Sequence, residues 1–284
     1  MQNGKRLFSL IEPERRESAV VVEVPHAGLD VPATYLANLT APARSIAQDA
    51  DLYVDELYAD APLEGATLLV AHTSRYVLDL NRGEDDWDRE AVSAPATARS
   101  SVPVGSSRMP RGLVWRLTTD GVPALARPLS LAELDERIDR IHRPYHRALW
   151  SVLERKREKF GYAVLLAAHS MPSNARTLNG EAGAPRADIV PGTQGRTTSA
   201  PVFIECVDAH ARAFGYTLRH DDPYRGGFSA RYYGQPHKGL HAVQVELARR
   251  LYMDERTCAR NGGFDAMRSW CRSLVGRLVQ TALR

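Results

Sequence analysis

Hydrophobic positions in this chain fall into short unbroken runs that alternate with stretches of helical period. Val20–Val24 is almost entirely valine, the pattern of a strand covered on both faces. Residues 65–70 and 162–168 read the same way, and residues 242–246 form a last inner strand that carries Glu246. Residues 42–58 place Ile46, Ala50, Val54, Leu57 and Tyr58 at helical spacing. Residues 131–160 predict a long helix with Leu134, Ile138, Ile141, Leu149 and Leu153 on its apolar face. Ser130 and Glu133 supply a capping box at its start, and Pro144 is expected to kink or split it. Residues 200–214 and 264–283 are further helices, and residues 76–80 and 216–219 are short extended pieces. Strands alternating with helices predict an α/β layer architecture with a mostly parallel or mixed sheet. No linker-like segment divides the chain, so residues 1–284 are expected to form a single domain.

Periodicity dissolves in three places: residues 83–117, 171–198 and 221–239. These stretches are rich in Gly, Pro, Ser and charge. Loops that long inside a compact domain usually serve function or move.

Composition excludes more than it assigns. With 284 residues, 44% hydrophobic and 25% charged, the chain can bury a sizeable core. A net charge of +3 is too near neutral to imply a nucleic-acid partner. Cys206, Cys258 and Cys271 are odd in number and scattered, which fits a reducing compartment. Residues 1–17 lack the apolar core of a signal peptide, and no apolar run approaches the roughly 20 residues of a membrane span. The expectation is a soluble, cytoplasmic protein with no membrane partner.

The chemistry concentrates at strand ends. His26, between Pro25 and Gly28, follows the first strand, and His169 ends the third. A lone histidine there would more often be a core or capping group, but two in equivalent places suggest a metal site. Asp49-Ala50-Asp51 with Asp55 puts carboxylates at what reads as a helix start, where they could simply complement the helix dipole. Asp49 or Asp51 could instead turn inward as a third ligand. Two imidazoles and a carboxylate would leave a position open for water, as a catalytic zinc site requires. Glu246 lies in an apolar strand, where a carboxylate is costly unless it is paired or functional. It could pair with Arg249 or Arg250, or serve as a general base. Arg75 through Arg82, with Asn81 between the arginines, suits an anionic substrate and a developing oxyanion; a surface ion cluster with Glu84, Asp85 and Asp86 is the alternative. The Gly- and Tyr-rich segment around Arg225 and Arg231 suits either a substrate lid or a structural loop.

With these residues in place, the chain resembles the N-formylglutamate amidohydrolase family over nearly its whole length. The resemblance rests on Pro25-His26-Ala27-Gly28, Asp49-Ala50-Asp51 with Asp55, and Arg75 through Arg82. It continues in Thr119-Asp120-Gly121, Arg127-Pro128-Leu129-Ser130, Arg143-Pro144-Tyr145-His146 and His169-Ser170. It ends in Gly192-Thr193-Gln194-Gly195, Tyr224-Arg225-Gly226-Gly227 and His241-Ala242-Val243-Gln244-Val245-Glu246. Each motif alone is weak, and their order and spacing together are specific.

The resemblance implies a three-layer α/β fold of the zinc-exopeptidase kind (phosphorylase/hydrolase-like), with a central mixed, mostly parallel sheet flanked by helices. It implies one divalent metal, zinc, and hydrolysis of N-formyl-L-glutamate to formate and L-glutamate, a reaction that the family performs in histidine degradation. His26 and His169 would be metal ligands, with Asp51 as the third and Asp49 as its alternative. The wider superfamily's H-x-x-E motif is absent, because Leu29 stands where its Glu would be. Glu246 would be the general base, Arg75 would polarise the scissile carbonyl, and Asn81-Arg82 would hold one substrate carboxylate. Arg231 or Arg225 could hold the other. Two further readings remain at this point: hydrolysis of another N-acyl amino acid or short peptide, and a non-catalytic binding protein on the same fold.

Overall fold

The computed structural model describes residues 6–13, 16–95, 98, 100, 111–176 and 182–282. Its described residues form two compact units, each discontinuous in sequence. One comprises Met1–Ser9, Pro25–Leu52 and Val70–Trp150, and the other Leu10–Val24, Tyr53–Leu69 and Ser151–Arg284.

The second unit holds most of a six-stranded sheet. Its strands are β1 (Phe8–Ile11), β2 (Val20–Val24), β3 (Thr67–Ala71), β4 (Ala163–Met171), β5 (Ile189–Gly192) and β6 (Leu240–Ala248), in the spatial order β1-β3-β2-β4-β6-β5. β2 runs parallel to β4, with Val20 opposite Val164, and β6 runs parallel to β4 from Leu240 opposite Ala163 to Ala248 opposite Met171. β5 closes that edge antiparallel to β6. Every residue of β2, β4 and β6 is buried, which is why these segments read as unbroken apolar runs. The chain is thus an α/β protein with a central, mostly parallel sheet, as the alternation of patterns predicts.

Helix Pro201–Ala213 buries Phe203, Ile204, Val207 and Ala211, and Phe264–Gln280 buries Met267, Trp270, Cys271, Leu274, Val275 and Leu278. Both stripes recur at three- and four-residue steps, the spacing that puts side chains on one helix face. No helix among the described residues is long and apolar enough to cross a membrane.

Several elements differ from the sequence reading. β4 and β6 extend past the apolar runs, so His169 lies inside β4 and not beyond its end. Pairing with β6 continues through polar His169 and Ser170, because ladder bonds belong to the backbone. Residues 76–80 are not a strand. They turn so that Tyr76 packs with Trp115, Ala41 and Ala124 in a small core of the first unit. Residues 216–219 make only an isolated bridge, Leu218 to Ile189. The irregular stretches also carry structure. Residues 171–198 contain β5 and the pair Asn174–Arg176 and Ala182–Pro185, and residues 221–239 contain the helix Phe228–Tyr233. Residues 83–117 contain Val92–Ser93, which pairs with Leu129–Ser130, and residues 96, 97, 99 and 101–110 of that stretch lie outside the described residues.

The long helix after Ser130 has its capping box, with Ser130 Oγ accepting from Glu133 N–H and Glu133 accepting from Ser130 N–H. It divides as Pro144 requires, but ahead of the proline. Leu131–Arg137 and Arg143–Phe160 are α-helical, and Ile138–His142 between them is a π-turn in which Arg143 N–H reaches Ile138 O. Pro144 has no N–H to give the Arg140 carbonyl, and one wide turn absorbs the loss.

Candidate metal centre and active site

Residues 42–58 are not one helix, and the break matters most for the site. Ala43–Asp49 ends where Ala50 turns extended (φ −73°, ψ 154°), and Val54–Leu57 begins after Tyr53 at φ 67°. Asp51 lies in the gap, and its backbone N–H donates to the His26 carbonyl at 3.0 Å. Asp49 therefore sits at the end of a helix and not at a start. Its Oδ2 accepts from Tyr76 Oη and from Thr119 N–H.

His26 is held by backbone and by charge. A Cβ on Gly28 would lie 2.3 Å from the His72 carbonyl carbon, so only glycine fits two residues past the histidine. His26 Nε2 donates to Asp79 Oδ1 at 2.7 Å, and Nδ1 lies 3.5 Å from Asp51 Oδ2. Burial and Arg75 push the His26 pKa down, but Asp79 and Asp51 outweigh them and the net shift is upward.

Asp79 is the hub of this arrangement. Oδ1 also accepts from Asn81 N–H at 2.9 Å. Oδ2 accepts from Arg75 Nη2 at 2.8 Å, Arg75 Nε at 3.3 Å and Trp115 Nε1 at 3.0 Å. Burial alone would raise its pKa, but Arg75 and His26 hold it well below the usual carboxylate range. Arg75 lies over the Trp115 ring, with Cζ 4.5 Å from the centroid, and a further N–H donates to the Asp49 carbonyl at 3.3 Å. The sequence reading gave Asp79 no role. The signal was there: a carboxylate inside Tyr-Val-Leu-Asp-Leu must find donors if it is buried.

Asn81 is buried, while Arg82 is partly exposed and pairs with Asp86 at 3.4 Å. The ion-cluster alternative thus describes part of Arg82 and none of Arg75, which turns inward.

On the sheet, Glu246 lies directly opposite His169 in the β4–β6 register, and both are buried. Gln244, two residues earlier on the same face of β6, donates from Nε2 to Glu246 Oε1 at 2.8 Å. Gln244 Oε1 accepts from Gly227 N–H at 2.8 Å. A backbone N–H can only donate, so this contact orients the amide with its NH2 group toward the carboxylate. Arg250, a candidate partner for Glu246 from its place in the sequence, pairs with Asp188 at 2.7 Å. Gly192 meets the loop before Phe228 so closely that a Cβ would lie 2.6 Å from Gly226 N. Arg225 in that loop and Arg231 in the following helix are exposed, and no ion pair to either occurs among the described residues.

His26, Asp51 and His169, all buried, each offer one ligand atom, and these atoms lie within 4.8 Å of one another. Two imidazole nitrogens and a carboxylate oxygen are the donor set of a catalytic zinc site, so this group could hold a metal ion. With a metal on His26, the Asp79–His26 bond would be the outer contact that fixes the imidazole. Asp79→Asn is expected to weaken metal affinity about 10–100-fold, measured by competition with a chromogenic chelator. Unchanged affinity would remove Asp79 from this role.

Protons compete for the same imidazole. In the metal-free protein the raised pKa of His26 contributes stability that is fully present below its ordinary value. That contribution is lost as pH rises through the raised value. The gap in Tm between metal-loaded and chelated protein is therefore expected to widen from about pH 6 to about pH 8, and an equal gap would refute it.

Comparison with known proteins identifies the family. The sequence model of the N-formylglutamate amidohydrolase family matches residues 18–253. An N-formylglutamate deformylase of Pseudomonas putida is 35% identical over 240 residues, which is 83% of this chain and 82% of that protein. The N-formylglutamate deformylase of Pseudomonas aeruginosa is 33% identical over 274 residues, 94% of each. The crystal structure of N-formylglutamate amidohydrolase from Ralstonia eutropha JMP134 superposes with a TM-score of 0.88 at 33% identity, covering 96% of this chain and 97% of that one. A solved structure from Agrobacterium tumefaciens, 18% identical, shares the fold at a TM-score of 0.68 over 97% of this chain and 94% of its own. By the match to its sequence model and to these relatives, the chain belongs to the N-formylglutamate amidohydrolase family.

Proposed function

We propose that this protein hydrolyses N-formyl-L-glutamate to formate and L-glutamate with one divalent cation, zinc, held by His26, Asp51 and His169. The observation that carries the reading is the buried His–Asp–His group in a chain of this family. A cytoplasmic place in histidine degradation and a zinc-exopeptidase-like subclass of the α/β fold belong to the same proposal.

When bound, the cation supplies Lewis acidity, lowering the pKa of water and offsetting negative charge on a carbonyl oxygen. The chain's own groups do the rest. Glu246 takes a proton from the water whose oxygen attacks the formyl carbon, and Gln244 holds the carboxylate in place meanwhile. Arg75, fixed by Asp79 and Trp115, offers positive charge to the oxyanion that develops. As the C–N bond breaks, Glu246 returns the proton to the leaving nitrogen, which departs as the amine of L-glutamate. Asn81 and Arg82 hold one substrate carboxylate, and Arg231 or Arg225 the other.

The deciding experiment measures formate release from N-formyl-L-glutamate by purified protein, before and after chelation and with zinc restored. Metal-restored release supports the proposal. Bound metal without release would redirect it to other N-acyl amino acids or short peptides, and neither metal nor release would leave the non-catalytic reading.

A further inference from the structure

We infer that His142 and His146 are positioning residues for Asn81 and Arg82, and that they set substrate affinity through the backbone of that pair. The inference rests on the carboxylate-binding role proposed above for Asn81 and Arg82.

The two histidines are one helical turn apart, so both side chains leave the helix on the same face. Their rings lie 4.2 Å apart between centroids. His146 Nε2 lies 3.0 Å from the Leu80 carbonyl and His142 Nε2 lies 2.9 Å from the Arg82 carbonyl. A carbonyl only accepts, so each Nε2 carries the proton and donates. Burial pushes both pKa values down, His146 further because His142 stands beside it, so both rings bind as neutral donors. Between them, Arg143 grips Glu84 through Nε at 3.1 Å and Nη2 at 2.9 Å.

The backbone around Asn81 is thereby held at four points. Its N–H goes to Asp79 Oδ1, Arg82 N–H goes to the Asp79 carbonyl at 3.2 Å, and the flanking carbonyls go to the two histidines. A recognition pair on a turn costs affinity unless its conformation is set before the ligand arrives. The π-turn at Ile138–His142 ends on the first of these histidines, so the local irregularity lies where the helix meets the segment it anchors. The motif Arg143-Pro144-Tyr145-His146 acquires a purpose here that its residue types alone do not disclose.

The test compares His142→Leu and His146→Leu, which lose the donor, with His142→Gln and His146→Gln, which place an amide N–H where Nε2 was. Each is measured on zinc-loaded protein for KM and kcat with N-formyl-L-glutamate and for metal content. Each Leu variant is expected to raise KM about tenfold with kcat within about twofold and metal unchanged, and the Gln variants to restore KM. Should a Leu variant fail to fold, His→Phe keeps the ring without the donor and carries the same expectation. Unchanged KM in the donor-less variants overturns the inference. So does a joint fall of kcat and metal content, which marks a general structural role. Arg82→Met separates the two levels. If it leaves KM unchanged, the carboxylate-binding assignment itself fails and this inference falls with it. If it raises KM while the histidine variants do not, only the inference falls.

Discussion

Glu246→Gln is expected to lower kcat for formate release by about 10²–10⁴ while leaving the fold and the bound metal in place. The substitution keeps the shape of the side chain, and its amide can neither accept a proton from water nor return one to the leaving nitrogen. Its environment makes the change sharp. Glu246 is buried on β6, opposite His169 in the register, with Gln244 Nε2 on Oε1. Gln244 is locked by Gly227 N–H and cannot turn over to offer its oxygen to a new amide without leaving that donor unpaired. The measurement is kcat and KM on zinc-loaded protein beside the circular dichroism spectrum. A kcat within a few-fold of the parent, with normal metal content, would sink the general-base role.

His169→Ala is expected to abolish stoichiometric metal binding, weakening affinity by more than about 100-fold, and formate release with it. If His26, Asp51 and His169 are the ligands, removing His169 leaves one imidazole and one carboxylate, too few to define a tetrahedral site with an open position. The same substitution empties a buried place between neighbouring strands, so stability has to be measured separately. Elemental analysis after dialysis against excess zinc reads the first effect and thermal denaturation the second. One metal per chain and unaltered turnover in a folded His169→Ala protein would refute the ligand set.

Much of this protein is legible in its sequence, and the parts that are not share a cause. Valine and leucine runs announced β2, β3, β4 and β6, because a strand buried on both faces needs apolar residues at every position. Ser130 and Glu133 announced the helix start, because a capping box is a contact across three residues. The break at residues 50–53 was not legible. Ile46, Ala50, Val54 and Leu57 keep helical spacing through it, and what opens the chain there is a bond from Asp51 N–H to the His26 carbonyl, far away in sequence. The turn at residues 76–80 escaped for the same reason, since Tyr76 packs against Trp115 and Asp79 takes its donors from His26, Arg75 and Trp115.

Composition and spacing therefore determined the α/β class, the order of the elements and the kinds of side chain that carry chemistry: two histidines near apolar strands, a glutamate in an apolar strand, and a segment that sets two arginines and an asparagine close together. Those are properties of residue type and local period, which short-range sterics and burial impose directly. The tertiary structure alone decided which aspartate stands beside His26, what Asp79 is for, which way the Gln244 amide faces, and what His142 and His146 hold. Each of those is a hydrogen bond or charge contact whose partner is set by the assembled backbone, and no local pattern records where a buried donor will find its acceptor.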